Sequence, residues 1–334
     1  MFLKCSFSAS KTPHWMVHAL STTIGIIVSA HFFYTNVIYQ ILLTFLAWIM
    51  LHISNKIGHG CRGLLSAILC VSFNMICELF ITIPVDWHQI RGAQMILSMK
   101  LISVALDMDT DVSNQSSKPE KPKEPEEQPE EPELGKKAAR KRKFFKKTEE
   151  LQQQKKEPDN SDGPKEILIL HVPTFLEYFG YALCPGTTVF GPWVPYKDYL
   201  AIYINPRWNF TWMTKIMFSM IFGFLFLTIS TCFIQWFIPE NQPKWISAYR
   251  DAMSFRASHY FVSFISEASA VACGFGCRSL APHGVTKWDV PVAEPHNIEV
   301  PRSLVEVVVS WNKPMHQWLK QCNSFFVFLI TFLL

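Results

Sequence analysis

The chain has 334 residues, 31 Lys+Arg against 27 Asp+Glu, and 27 Phe and 11 Trp. The tract from Lys118 to Glu166 holds 14 of the basic and 13 of the acidic residues, so 31 charges remain for the other 285 positions. That is roughly one charge in nine residues, against about one in four for soluble domains, which excludes an ordinary soluble globular chain.

Taken in order, the first element is an uncharged run of 44 residues, Thr12 to Asn55. A helix crosses the hydrocarbon core with about 20 apolar residues, so this run holds two spans, with a break at Tyr34-Thr35-Asn36. Arg62 to Ile83 reads as another span, interrupted by Glu78. Ile216 to Pro239 is a further uncharged run of 24 residues and contains the strongest span pattern. Weaker apolar stretches at 93–105, 175–193 and 260–277 read as short, re-entrant or tilted helices. Such pieces are stable at membrane depth only when buried in protein or lining a cavity, and amphipathic interfacial helices are the alternative. The expected fold is all-α, a polytopic transmembrane helical bundle with one long disordered loop.

That loop is expected at 107–166, between N-terminal membrane helices at 1–106 and a second membrane region at 167–334. Its mixed charges and frequent prolines cannot bury enough apolar surface to offset chain entropy. Eight basic residues between Lys136 and Lys147 favour a cytosolic face and contact with anionic membrane lipids. No nucleic-acid partner is expected. The nine cysteines follow no zinc-site or disulfide spacing and read as packed thiols, so no metal is expected.

The tract Glu299 to Lys320 joins polar and aromatic residues and precedes an apolar run. Pro314 disfavours one continuous helix here and puts Asn312 near a helix start. Two readings of Asn312 stand side by side: an N-cap, and an amide that donates to a substrate oxygen.

The string Ser310-Trp-Asn-Lys-Pro-Met-His-Gln-Trp-Leu319 resembles the signature of the membrane-bound O-acyltransferase superfamily. Three further strings agree in order: Gly92-Ala-Gln-Met-Ile-Leu-Ser-Met-Lys100, Thr188-Val-Phe-Gly-Pro-Trp-Val-Pro195, and Ser258-His-Tyr-Phe-Val-Ser-Phe-Ile-Ser-Glu-Ala-Ser269. Within the superfamily, Val300 to Asn312 is similar to the members that acylate a protein serine. The resemblance implies transfer of palmitoleoyl from acyl-CoA to a serine of Wnt proteins in the endoplasmic reticulum membrane, with acyl-CoA as co-substrate and no other cofactor. It implies a catalytic role for Asn312, and substrate-binding roles for Trp311, Trp318, Arg302 and Glu306. The family's histidine base is expected about one helix beyond the asparagine. The last histidine in the chain is His316, too close to Asn312 for that role, and the final apolar run from Phe325 has only ten residues. The expectation is therefore a C-terminally truncated form lacking the base. Alternatives are a non-catalytic acyl-CoA-binding or regulatory form, and a lipid O-acyltransferase. His259 and His296 fall in or near the matched strings without standing at a catalytic position.

Overall fold

In the computed structural model the described residues are 13–58, 60–80, 84–116, 169, 171–204, 210–239, 242–280 and 285–322. Met1–Asn114 and Leu168–Leu334 make one compact unit, and Gln115–Ile167 a second. Everything below concerns the first. The expected loop from 117 onward and the final apolar run from Phe325 lie outside the described residues.

Among the described residues, three apolar helical stretches are long enough to cross a bilayer: His14–Ile57, Arg62–Phe80 and Phe210–Phe237. The first is divided where the sequence indicates. Helix α1 (His14–Phe33) ends at Tyr34, which adopts φ +52°, and a 3-10 turn (Tyr34–Asn36) leads into α2 (Val37–Ile57). Gly58 then takes φ +153°, a conformation open to glycine, and α3 (Arg62–Phe80) follows.

These helices bury polar and small residues among a few large apolar ones and expose apolar side chains on the outside. Along α2 the buried stripe is Gln40, Leu43, Thr44, Ala47, Leu51 and Ser54, spaced as one helical face. Ile38, Leu42, Phe45 and Ile53 are exposed on the same helix. Lipid can cover such a face, and small side chains inside let backbones approach. Gly25 of α1 is the limiting case. A Cβ there would stand 1.6 Å from the carbonyl oxygen of Leu183.

Helix α4 (Pro84–Ser116) corrects the expected domain boundary, because it continues ten residues past 106. The carboxylates that made this segment look like linker have partners. Asp109 accepts hydrogen bonds from the backbone N–H groups of Gly60 and Gly63, at 3.1 and 2.9 Å, and faces the Arg62 guanidinium at 3.8 Å. Asp111 accepts from the Ile169 amide and from Lys197 Nζ, both at 2.8 Å. Buried carboxylates held by several donors do not need water, so the helix runs on. At its centre Lys100 is fully enclosed and donates to the Ala182 carbonyl oxygen and to Thr187 Oγ1, at 2.9 and 2.8 Å.

The weak apolar stretches divide. The one at 175–193 does form a short helix, α5 (Phe175–Ala182), opened by a Thr174–Glu177 capping box and followed by a buried loop. The stretch 93–105 instead falls within a long helix, α4, and the stretch 260–277 begins in another, α9, which ends at Ala272 before a turn and a strand that starts at Cys277. Helix α6 (Tyr196–Ile204) completes this part.

Helix α7 (Phe210–Thr228) widens into a π turn (Ile229–Phe233) and ends as α8 (Ile234–Phe237). It packs along α9 (Lys244–Ala272). Ser230 in the wide turn donates to the Ser254 carbonyl oxygen at 2.9 Å and lies 2.6 Å from Ser258 Oγ. Nearer the other end Lys215 and Glu267 pair at 2.7 Å, and Phe226 stacks on Phe264. An antiparallel hairpin, β1 (Cys277–Leu280) with β2 (Val285–Trp288), is the exception to the all-α expectation among the described residues. Then come α10 (Pro295–Glu299), α11 (Leu304–Trp311) and a last helix, α12, over residues 313–322.

Candidate functional site

The site is built around the junction of α11 and α12. Helix α11 starts at Ser303, whose hydroxyl accepts from the Glu306 amide, while the Glu306 carboxylate reaches back to accept from the Arg302 amide at 2.7 Å. It stops at Asn312, which is extended, with φ −150° and ψ 86°. The next helix begins immediately. Asn312 Oδ1 accepts from the Met315 amide and its carbonyl oxygen from the His316 amide, both at 3.0 Å. Pro314 lies in the first turn, where its missing N–H costs nothing.

Ending one helix and starting another leaves backbone groups that need partners. Two segments supply them. The Glu294 amide donates to the Ser310 carbonyl oxygen at 3.0 Å, and the Lys313 amide donates to the Val292 carbonyl oxygen at 2.9 Å. Lys313 Nζ also pairs with the Glu294 carboxylate. From α9, His259 Nε2 bonds the Trp311 carbonyl oxygen at 2.9 Å. A carbonyl accepts only from a protonated nitrogen, so Nε2 carries hydrogen in this contact. The two rings stack in parallel, 4.2 Å apart with 3° between their planes. On the same helix the adjacent Tyr260 donates to the Glu299 carboxylate at 2.7 Å, and Arg256, about one turn earlier, pairs with the same oxygen at 2.9 Å. The junction is therefore clamped from two sides.

The clamp leaves part of the Asn312 side chain uncommitted. Asn312 Oδ1 is engaged in the cap, and its amide nitrogen has no hydrogen-bond partner among the described residues. The two readings of Asn312 thus fall on two different atoms. The oxygen caps α12, and the amide N–H groups are unpaired among the described residues.

The other expected site residues separate. Trp311 lies beside Asn312, against His259. Trp318 lies in α12 with its Nε1–H donating to the Met99 carbonyl oxygen at 3.1 Å, packed on the core. Arg302 and Glu306 stand at the far end of α11, about 10 Å away by helical rise, where the Glu306 carboxylate serves the cap. His316 lies in the first turns of α12, half-buried. The residue that sequence reasoning passed over is His259. Its string had been matched, and nothing in its spacing ties it to Trp311, 52 positions on. Among the described residues no cluster of His, Cys, Asp and Glu could hold a metal ion.

Residues 164–322 match the model of the membrane-bound O-acyltransferase family. With its apolar helices and the Trp311–Asn312 junction, the chain is a multi-span membrane protein carrying a region homologous to that family. The homology then narrows. The chain is 29% identical over 326 residues to the human protein-serine O-palmitoleoyltransferase porcupine, covering 92% of this chain and 58% of the human one. It is 30% identical over 265 residues to the porcupine of Anopheles gambiae, covering 74% of this chain and 42% of that protein. A lysophospholipid acyltransferase of Arabidopsis thaliana is 26% identical over 187 residues, covering 49% of this chain and 40% of its own. The chain thus spans a little over half the length of the human relative.

Proposed function

We propose that the protein transfers a palmitoleoyl chain from CoA to a serine hydroxyl of a Wnt protein in the endoplasmic reticulum membrane, with Asn312 donating to the reacting thioester carbonyl. The substrate assignment rests on similarity to porcupine proteins over 92% of the chain. The assignment of Asn312 rests on one observation, an amide nitrogen without a partner among the described residues on a side chain whose oxygen is fixed by the Met315 amide.

The chemistry suits that arrangement. The serine oxygen adds to the thioester carbon, negative charge grows on the carbonyl oxygen, and the CoA thiolate leaves as the ester forms. A donor already oriented toward that oxygen stabilises the charge without reorganising. The serine must also lose its proton to a base. His259 and His316 are not assigned that role. Trp311 would line the acyl side of the junction, and the exposed Val305 and Val308 of α11 would face lipid or the chain.

The test uses microsomes containing the full-length protein, an alkyne-tagged palmitoleoyl-CoA and a Wnt-derived serine peptide. Asn312→Asp keeps an oxygen for the cap and offers the carbonyl a carboxylate instead of a donor. It should accumulate normally and lose about a hundredfold in transfer, the usual weight of one oxyanion donor. Label on lysophospholipid instead of peptide would favour the lipid-acyltransferase reading. Normal transfer by Asn312→Asp would leave Asn312 as a cap only.

A further inference from the structure

We infer that His259 is a positioning residue for the Asn312 donor, acting through the Trp311 carbonyl; the inference rests on the reading of Asn312 given above. Three observations carry it. First, the Trp311 carbonyl belongs to the peptide unit whose nitrogen is that of Asn312, so a bond to this oxygen fixes the plane from which the Asn312 side chain departs. Second, α11 ends there, and the carbonyl has no helical donor. His259 supplies one, at 2.9 Å from a different helix. Third, the imidazole is held against rotation by the Trp311 indole, 4.2 Å away and within 3° of parallel. Two perpendicular constraints, one in the ring plane and one across it, set the same peptide unit.

The Asn312 side chain is anchored at one point only, through Oδ1 to the Met315 amide. The direction of its free N–H groups then depends on the backbone at 311–312, which is extended between two helices. The neighbouring contacts do not replace His259. The Glu294 amide holds Ser310 and the Val292 carbonyl holds Lys313, one residue to either side of the Trp311–Asn312 pair. Without the imidazole the 311–312 peptide can tilt between those two fixed points. A tilt moves the amide off the position of the reacting oxygen, and an error on the order of 1 Å in a reacting geometry costs up to about a hundredfold.

The experiment measures acyl transfer by the full-length protein in microsomes, per folded molecule, for His259→Phe, His259→Gln and His259→Glu, each also in an Asn312→Ala background. Phe keeps the stack and lacks the donor. Gln places an amide nitrogen close to the position of Nε2, and Glu has the shape of Gln without the donor. The expected result is a kcat about tenfold lower for Phe and Glu with KM for palmitoleoyl-CoA within about twofold, and recovery in Gln. In the Asn312→Ala background the three variants should be equal, because their effect passes through the missing amide. Normal kcat in His259→Phe or His259→Glu overturns the inference. So does failure of Gln to recover activity that Glu loses, or an undiminished effect of His259→Phe beside Asn312→Ala. If His259→Phe does not accumulate, the Gln and Glu pair decides alone. Absence of transfer by the unmodified protein would instead overturn the acyltransferase reading, and the role of His259 with it.

Discussion

The indole of Trp318 and the hydroxyl of Ser103 both donate to the carbonyl oxygen of Met99, at 3.1 and 2.9 Å. Ser103 Oγ in turn accepts from Trp193 at 2.9 Å. One turn of α4 thus holds both the loop before α6 and the helix that begins at Asn312. Trp318→Phe removes one neutral hydrogen bond and little volume, at a cost on the order of 1 kcal/mol. The melting temperature in detergent should fall by a few degrees, with turnover per folded molecule close to normal. Lost turnover at an unchanged melting temperature would return Trp318 to the substrate site.

Arg302 and Glu306 should behave as cap residues. Glu306→Ala deprives the Arg302 amide of its acceptor and should cost about 1 kcal/mol of stability. Glu306→Gln restores an acceptor and should recover it. Neither change should alter the KM for acyl-CoA, and steady-state transfer assays beside thermal melts would check both.

Gly25→Ala tests the close approach of α1 to the loop after α5. The new Cβ would lie 1.6 Å from a backbone oxygen, which cannot rotate away. A loss of about 3 kcal/mol is expected, seen as poor accumulation in detergent-resistant form. Gly92→Ala is the matched control. Nothing stands within 4 Å of its Cβ position, and alanine is the better helix former by about 1 kcal/mol. It should be neutral or slightly stabilising.

Asp107 gives a pH dependence. Burial lifts its carboxyl to about 7, with Lys197 pulling it down and Asp111 and Asp198 pushing it up. The folded protein then keeps a proton that the unfolded chain releases near pH 4. The favourable contribution is complete below about pH 4 and is lost as pH rises through 7. Asp107→Asn stays neutral and can still accept from Gln321 Nε2, as Asp107 Oδ1 does. Its melting temperature should exceed that of the unmodified protein at pH 8, and the gap should narrow at pH 5. A constant gap across this range would mean that Asp107 does not titrate there.

Much of this architecture can be read from the chain alone. The uncharged runs mark the spans because bilayer thickness sets their length, and the break at Tyr34–Asn36 falls where the apolar pattern lapses. Pro314 indicates a helix start at Asn312 for reasons local to the backbone. The extension of α4 was hidden because Asp109 and Asp111 look like linker charges until Gly60, Gly63 and Ile169 bring their amides, and Asp107 until Gln321 brings its side chain. His259 was hidden for the same kind of reason. A carbonyl left over at a helix end has no signature in side-chain identity, and its donor sits on another helix. Arg302 and Glu306 are neighbours of Asn312 in the string but lie one helix length away from it.

The ion pair of Lys215 and Glu267 bears on how the molecule is made. The ribosome adds the 52 residues from Ile216 to Glu267 after Lys215, roughly 3–10 s at ordinary synthesis rates. Through that interval α7 carries an ammonium group whose carboxylate does not yet exist. The helix must wait with Lys215 drawn toward the headgroups, or in the shelter of the insertion machinery, until α9 arrives. With Glu267 in place the two charges meet at 2.7 Å and join α7 to α9.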